Sequence, residues 1–246
     1  MNHHSRPPGR LLFVPVALAV LIAGGWLFYK HGRSVWVARL RPFTGTHSVE
    51  GVVRALDETA GVRVREALSR AGVPPRPERL WLLAVKDERR LELWAEKSSG
   101  ERVRVTTWHV LAESGGEGPK LREGDRQVPE GIYQIEGLNP NSAYHLSLKV
   151  GYPNASDKSW AARDGRTRLG GDIFIHGKDV SIGCLAIGDP AIEELFWLAG
   201  TVGRDAFQVV IVPTDLRVKP APRVAVAWAP ELYGRLKAEL TQFPMP

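Results

Sequence analysis

The chain has 246 residues, 43% hydrophobic and 24% charged, with a formal net charge of +6. That length fits one catalytic-sized domain with an appendage, and a single cysteine excludes any intramolecular disulfide. The positive excess gathers near the N-terminus, in Arg6, Arg10, Lys30, Arg33, Arg39 and Arg41, and no dense basic tract with interleaved aromatics follows, so nucleic acid is not an expected partner.

Residues 1–10 precede a run from Leu11 to Tyr29 that carries no charge and is flanked by Arg10 and Lys30. Nineteen residues in a helix reach about 28 Å, close to the hydrocarbon thickness of a bilayer. No small-residue cleavage site follows, so the run reads as an uncleaved transmembrane signal anchor. Basic residues on both sides leave its orientation open. Residues 30–78 then read as a helical juxtamembrane segment and linker. Within it, Ser48 to Ala71 has apolar residues at helical spacing (Val52, Val53, Leu56, Val64, Leu68), with Gly61 as a point where the helix divides. Pro74, Pro75 and Pro77 stop it and mark the boundary to a domain over 79–246.

From Leu80 the period changes to that of strands. Leu80–Val85, Leu91–Glu96 and Arg102–Thr107 form a predicted meander, joined by turns at 86–89 and 98–101. Glu113–Asp125, rich in glycine and charge, reads as a mobile loop, and Val128–Ile135 as a strand. Asn139–Asn141 is a predicted turn into the strand that carries His145. Tyr152–Arg168 is polar and reads as a cover, with Gly170 and Gly171 as its hinge. Asp189–Pro190 starts a helix that Gly200 ends. Phe207–Val212 is a buried strand, and Ala229–Thr241 a terminal helix. The domain is therefore expected to be mainly β with flanking helices.

The chemistry concentrates in 172–184. The run Ile173–Ile175 reads as a short buried strand ending at His176-Gly177, and Ser181-Ile182-Gly183-Cys184 brings back the one thiol. A thiol attacks as its thiolate and needs a neighbouring base, which His176 can supply. The backbone amides of Ile182, Gly183 and Cys184 are candidate donors to an oxyanion. Taken alone, Cys184 reads as a small buried hydrophobe, His176 as a satisfied core histidine and Ser181 as a turn residue. His145, on a probable strand, is a candidate substrate contact whose plainer reading is a half-exposed strand histidine. Trp160, in the polar stretch, is the tryptophan chosen for ligand contact, the others reading as core. Scattered histidines and one cysteine have no metal-ligand spacing, and no cofactor motif is present.

His176-Gly177 followed closely by Ser181-x-Gly183-Cys184 resembles the signature of the YkuD-type L,D-transpeptidase catalytic domain. The short loop between the two halves, and Gly151-Tyr152-Pro153-Asn154 upstream, are most similar to its YafK-like branch. The resemblance covers roughly 80–213. Ala186 stands where that family often has an arginine or asparagine. The resemblance implies a β-sandwich of YkuD type and a cysteine acyl-enzyme formed on peptidoglycan stem peptides. It makes Cys184 the nucleophile and His176 the base, with Gly177, Ser181, Ile182 and Gly183 shaping the site and Tyr152, His145 and Trp160 as substrate contacts. A backbone carbonyl near Gly177 is the expected orienter of the imidazole. Acceptors would be another stem or a wall-linked lipoprotein, and the setting the periplasmic face of the inner membrane. With water as acceptor the same site would be an L,D-carboxypeptidase or would release wall-linked protein. A non-catalytic wall-binding scaffold is the reading from another class.

Overall fold

The structure, a computed structural model, describes residues 46–245. The predicted anchor, 11–29, lies outside the described residues, and among those described no helix is long and apolar enough to cross a membrane.

The first elements are α1 (Val49–Leu56), a π-helical turn at Asp57–Gly61 and α2 (Val62–Arg70). Ser48 caps α1 by accepting the Gly51 amide proton at 3.0 Å. The segment divides as expected, the π-helical turn ending at Gly61. Gly61 is a packing site, since a Cβ there would stand 2.7 Å from the Trp197 indole, whose N–H donates to Asp57 Oδ1 at 3.1 Å.

Strands β1 (Leu80–Val85), β2 (Arg90–Glu96) and β3 (Arg102–His109) form the predicted antiparallel meander. Then come β4 (Gly131–Ser142), β5 (His145–Val150), α3 (Ala155–Arg163), β6 (Phe174–His176), β7 (Leu185–Ala186), α4 (Asp189–Val202), β8 (Phe207–Val212) and α5 (Ala229–Leu240). β4 runs through Asn139–Asn141, the predicted turn, and the chain reverses at Ala143-Tyr144 instead. α4 likewise passes through Gly200 and ends at Gly203.

The eight strands form a mixed sheet, in the order β3-β2-β1-β8-β4-β5-β6-β7. Two features make it continuous. β8 inserts parallel to β1, pairing Leu80 with Phe207. β4 is long enough to pair with β8 through Gly131–Gln134 and with β5 from Ile135 onward. β1 is buried along its whole length because both faces are covered. Leu80, Leu82 and Ala84 join a core with Leu68, Leu195 and Phe196 of the helices on one side. Trp81, Leu83 and Val85 alternate into a second core with Leu232, Leu236 and Leu240 of α5. Helices thus cover both faces of β1.

Candidate active site

The site forms where the sheet ends, at the short parallel pair β6–β7. Ile175 pairs with Leu185 and His176 with Ala186, so Cys184 enters one residue before β7 begins. β5 holds the other side of β6, with Ser147 opposite His176. The register thereby brings the predicted base and nucleophile to one sheet edge. Segment 110–112 pairs with the outer side of β7, the Ala186 amide donating to the Ala112 carbonyl at 3.0 Å.

His176 is 2% exposed. Its Nδ1 lies 2.6 Å from the Gly177 carbonyl oxygen, and because a carbonyl only accepts, Nδ1 carries the proton. Nε2 of the neutral ring is then a free lone pair. The orienting group is thus the backbone carbonyl expected near Gly177. Burial pushes the imidazole pKa below its ordinary value, and the Gly177 bond partly offsets this. Gly177 is required by close approach: a Cβ would meet Asp189 Oδ1 at 2.6 Å and the Tyr144 carbonyl at 2.8 Å.

Cys184 is half-buried and free. Its Sγ contacts the Asp172 carbonyl at 3.7 Å rather than the imidazole. Burial raises the thiol pKa, a backbone bond from Phe174 and the charge of Lys120 acting against it. The two groups are therefore shifted in opposite directions, both towards their neutral forms. A neutral thiol needs a base to take its proton before it can attack.

Ser181 closes the turn that delivers the thiol, accepting from the Cys184 amide at 2.9 Å and donating to the Cys184 carbonyl at 2.6 Å. The Gly183 amide donates to Ser114 Oγ at 2.5 Å. Two of the three candidate oxyanion donors, Gly183 and Cys184, thus already give their N–H groups to serine oxygens. Gly183 itself has φ 96°, a backbone that favours glycine. Ile182 is 74% exposed beside them.

Ser114 escaped the sequence reading because its segment looks like a mobile loop. That loop is instead tied by side chains. Asp125 accepts from the amides of Leu121, Arg122 and Gln127, and the Gln127 amide group bridges Gly116 and Gly118. Tyr144 was also missed. Its ring lies 4.6 Å from the imidazole, centroid to centroid, tilted by 32°. A two-residue turn leaves no sequence signal for such a contact.

Of the three expected substrate contacts, His145 is partly exposed and Tyr152 and Trp160 are buried. His145 is held by Glu193 of α4, with 2.8 Å between Nε2 and Oε1. Tyr152 is buried, its hydroxyl donating to the Leu169 carbonyl at 3.3 Å. Trp160 is also buried, stacked on Trp228 at 5.2 Å in the core under α5. The middle of the stretch expected to be a cover is α3, packed by that indole. Gly151–Asn154 is the entry to it: Asn154 forms a capping box with Asp157 and donates to the Ile132 carbonyl at 2.9 Å.

The chain is 34% identical over 149 residues to YafK of Escherichia coli K12, whose name assigns it provisionally to the L,D-transpeptidases, and equally so to YafK of E. coli O157:H7. Each alignment covers 57% of this chain, and the chain spans 57% of the length of those relatives. Among solved structures, the helical cell shape determining protein Pgp2 from Campylobacter jejuni aligns at TM-score 0.46 and 24% identity, over 59% of this chain and 50% of that one. L,D-transpeptidase 1 of Mycobacterium tuberculosis aligns at TM-score 0.32 and 14% identity, over 55% and 62% respectively. The model of the YkuD L,D-transpeptidase catalytic domain matches residues 79–211, a span that runs from the start of β1 into β8 and includes His176 and Cys184, and the chain belongs to that family.

Proposed function

We propose that the protein is a cysteine-dependent L,D-transpeptidase that acts on peptidoglycan stem peptides. The observation that carries this reading is the β6–β7 pairing, which joins the strand ending in His176 to the strand that Cys184 enters, with the Gly177 carbonyl holding Nδ1–H so that Nε2 of the imidazole is left unprotonated. As Cys184 Sγ bonds to the carbonyl carbon of the third stem residue, its proton passes to His176 Nε2. Collapse of the tetrahedral intermediate breaks the amide C–N bond, and the departing D-alanine amine takes that proton. An amine from another stem or from a wall-linked lipoprotein then attacks the thioester, gives its proton to His176 and frees the thiol. With water in its place the outcome is hydrolysis.

The surroundings support a peptide-like substrate. Of the six large apolar side chains exposed among the described residues, Leu111, Tyr144, Val180 and Ile182 lie on segments that frame Cys184 and His176. We place domain 79–246 on the periplasmic side of the inner membrane, held by 11–29, because its proposed substrate is there.

The test is to incubate the purified chain with disaccharide-tetrapeptide, with and without an added amine, and to read products by mass. Loss of D-alanine joined to amine incorporation is the expected result, and Cys184→Ala should abolish both while keeping the fold. Unchanged product from Cys184→Ala removes the thiol from the mechanism, and product without amine incorporation assigns a hydrolase.

A further inference from the structure

We propose that Tyr144 is a positioning residue for the base: its ring is one wall of the slot that fixes the plane of the His176 imidazole and keeps water from it. The inference rests on His176 serving as the base. Three observations carry it. The two rings face one another at 4.6 Å and 32°, while Nδ1 is held by the Gly177 carbonyl at 2.6 Å. One contact fixes the edge and the other the face, so the direction of the Nε2 lone pair is set.

The turn that presents Tyr144 is itself constrained. Its amide donates to Ser142 Oγ at 3.1 Å, and the next residue, His145, has φ 73° and is tied to Glu193. Its carbonyl closes over the place where a Gly177 side chain would stand. The sequence thus spends a two-residue turn, a left-handed histidine and a hydrogen bond to α4 on placing one ring. That ring is nonetheless 43% exposed, so burial of the tyrosine is not what holds it against the imidazole.

The tyrosine also accounts for the electrostatics. Lys178 nearby is paired with Asp189, Glu193 is bonded to His145, and the Cys184 thiol is shifted towards its neutral form. The depressed imidazole pKa has burial as its main cause, and the Tyr144 ring covers one face.

The test uses the full-length chain with Tyr144→Ala and Tyr144→Phe. The His176 ring is titrated by NMR, and kcat and KM are measured against pH on disaccharide-tetrapeptide. Tyr144→Ala should raise the His176 midpoint towards the ordinary imidazole value, shift the acid limb of kcat/KM upward with it, and lower kcat by about 10- to 100-fold, the range for a displaced catalytic group. KM should change little, and Tyr144→Phe should restore both midpoint and rate. An unmoved midpoint with unmoved kcat in Tyr144→Ala overturns the inference, as does a loss confined to KM. Failure of the base assignment is separate: His176→Gln would then keep full activity even though Tyr144→Ala moves the titration, and the ring would wall a histidine outside the reaction.

Discussion

Ser114 Oγ accepts the Gly183 amide proton at 2.5 Å while donating its own proton to the Arg126 carbonyl at 2.7 Å. One hydroxyl therefore links the loop after β3 to the residue before the nucleophile, and it occupies a donor that an acyl oxyanion would use. A neutral hydrogen bond contributes about 0.5–1.5 kcal/mol net, so a substrate oxygen must displace Ser114 at a cost of that order. Removing the hydroxyl by Ser114→Ala should speed acylation by roughly 2- to 10-fold. Ser181→Ala should do the opposite, because Ser181 binds both the amide and the carbonyl of Cys184 and so shapes the turn. Single-turnover kinetics separates the two, and a slower Ser114→Ala would show that this serine positions the loop without competing for the amide.

The pH profile has a definite sign. His176 is shifted below the ordinary imidazole value, so the free base is complete at neutral pH, and kcat/KM should rise through a titration below pH ~6.5 and level off above it. Cys184 is shifted upward, so a mechanism using preformed thiolate would instead keep climbing through the alkaline range. His176→Gln should lose the acid limb and about 10²–10⁴-fold in rate. Stopped-flow measurement of acylation from pH 5 to about 10 distinguishes the two profiles.

A buried ion pair sets the stability of the same region. Lys86 Nζ meets Glu130 Oε1 at 2.7 Å, with both side chains buried, and also bonds the Gly118 carbonyl at 3.0 Å. Tyr233 of α5 donates to the second carboxylate oxygen at 2.9 Å. Lys86→Ala leaves that carboxylate buried and unpaired, which should destabilise the protein by about 3–5 kcal/mol. Urea unfolding reads this directly. Lys86→Met combined with Glu130→Leu should cost clearly less, because no unpaired charge then remains.

Local patterns made several features legible in advance. The meander, the helix after Asp189-Pro190 and the His176-Gly177…Ser181-Ile182-Gly183-Cys184 pair each lie within a short span, so spacing and side-chain type mark them without knowledge of the rest. Burial of Trp160 was not legible, because its partner Trp228 is far away in the chain and a polar stretch hides one indole on the packed face of α3. The parallel pairing of β1 with β8 was equally hidden: both strands read as buried, and periodicity says nothing about which buried strands meet. The sequence by itself determined the nucleophile and base candidates and the order of most elements. Only the tertiary structure decided that β8 inserts beside β1, and that Ser114 and Tyr144 reach the site. Those outcomes depend on contacts between residues tens of positions apart, whose register is set by packing both faces of the sheet and not by any local preference of the chain.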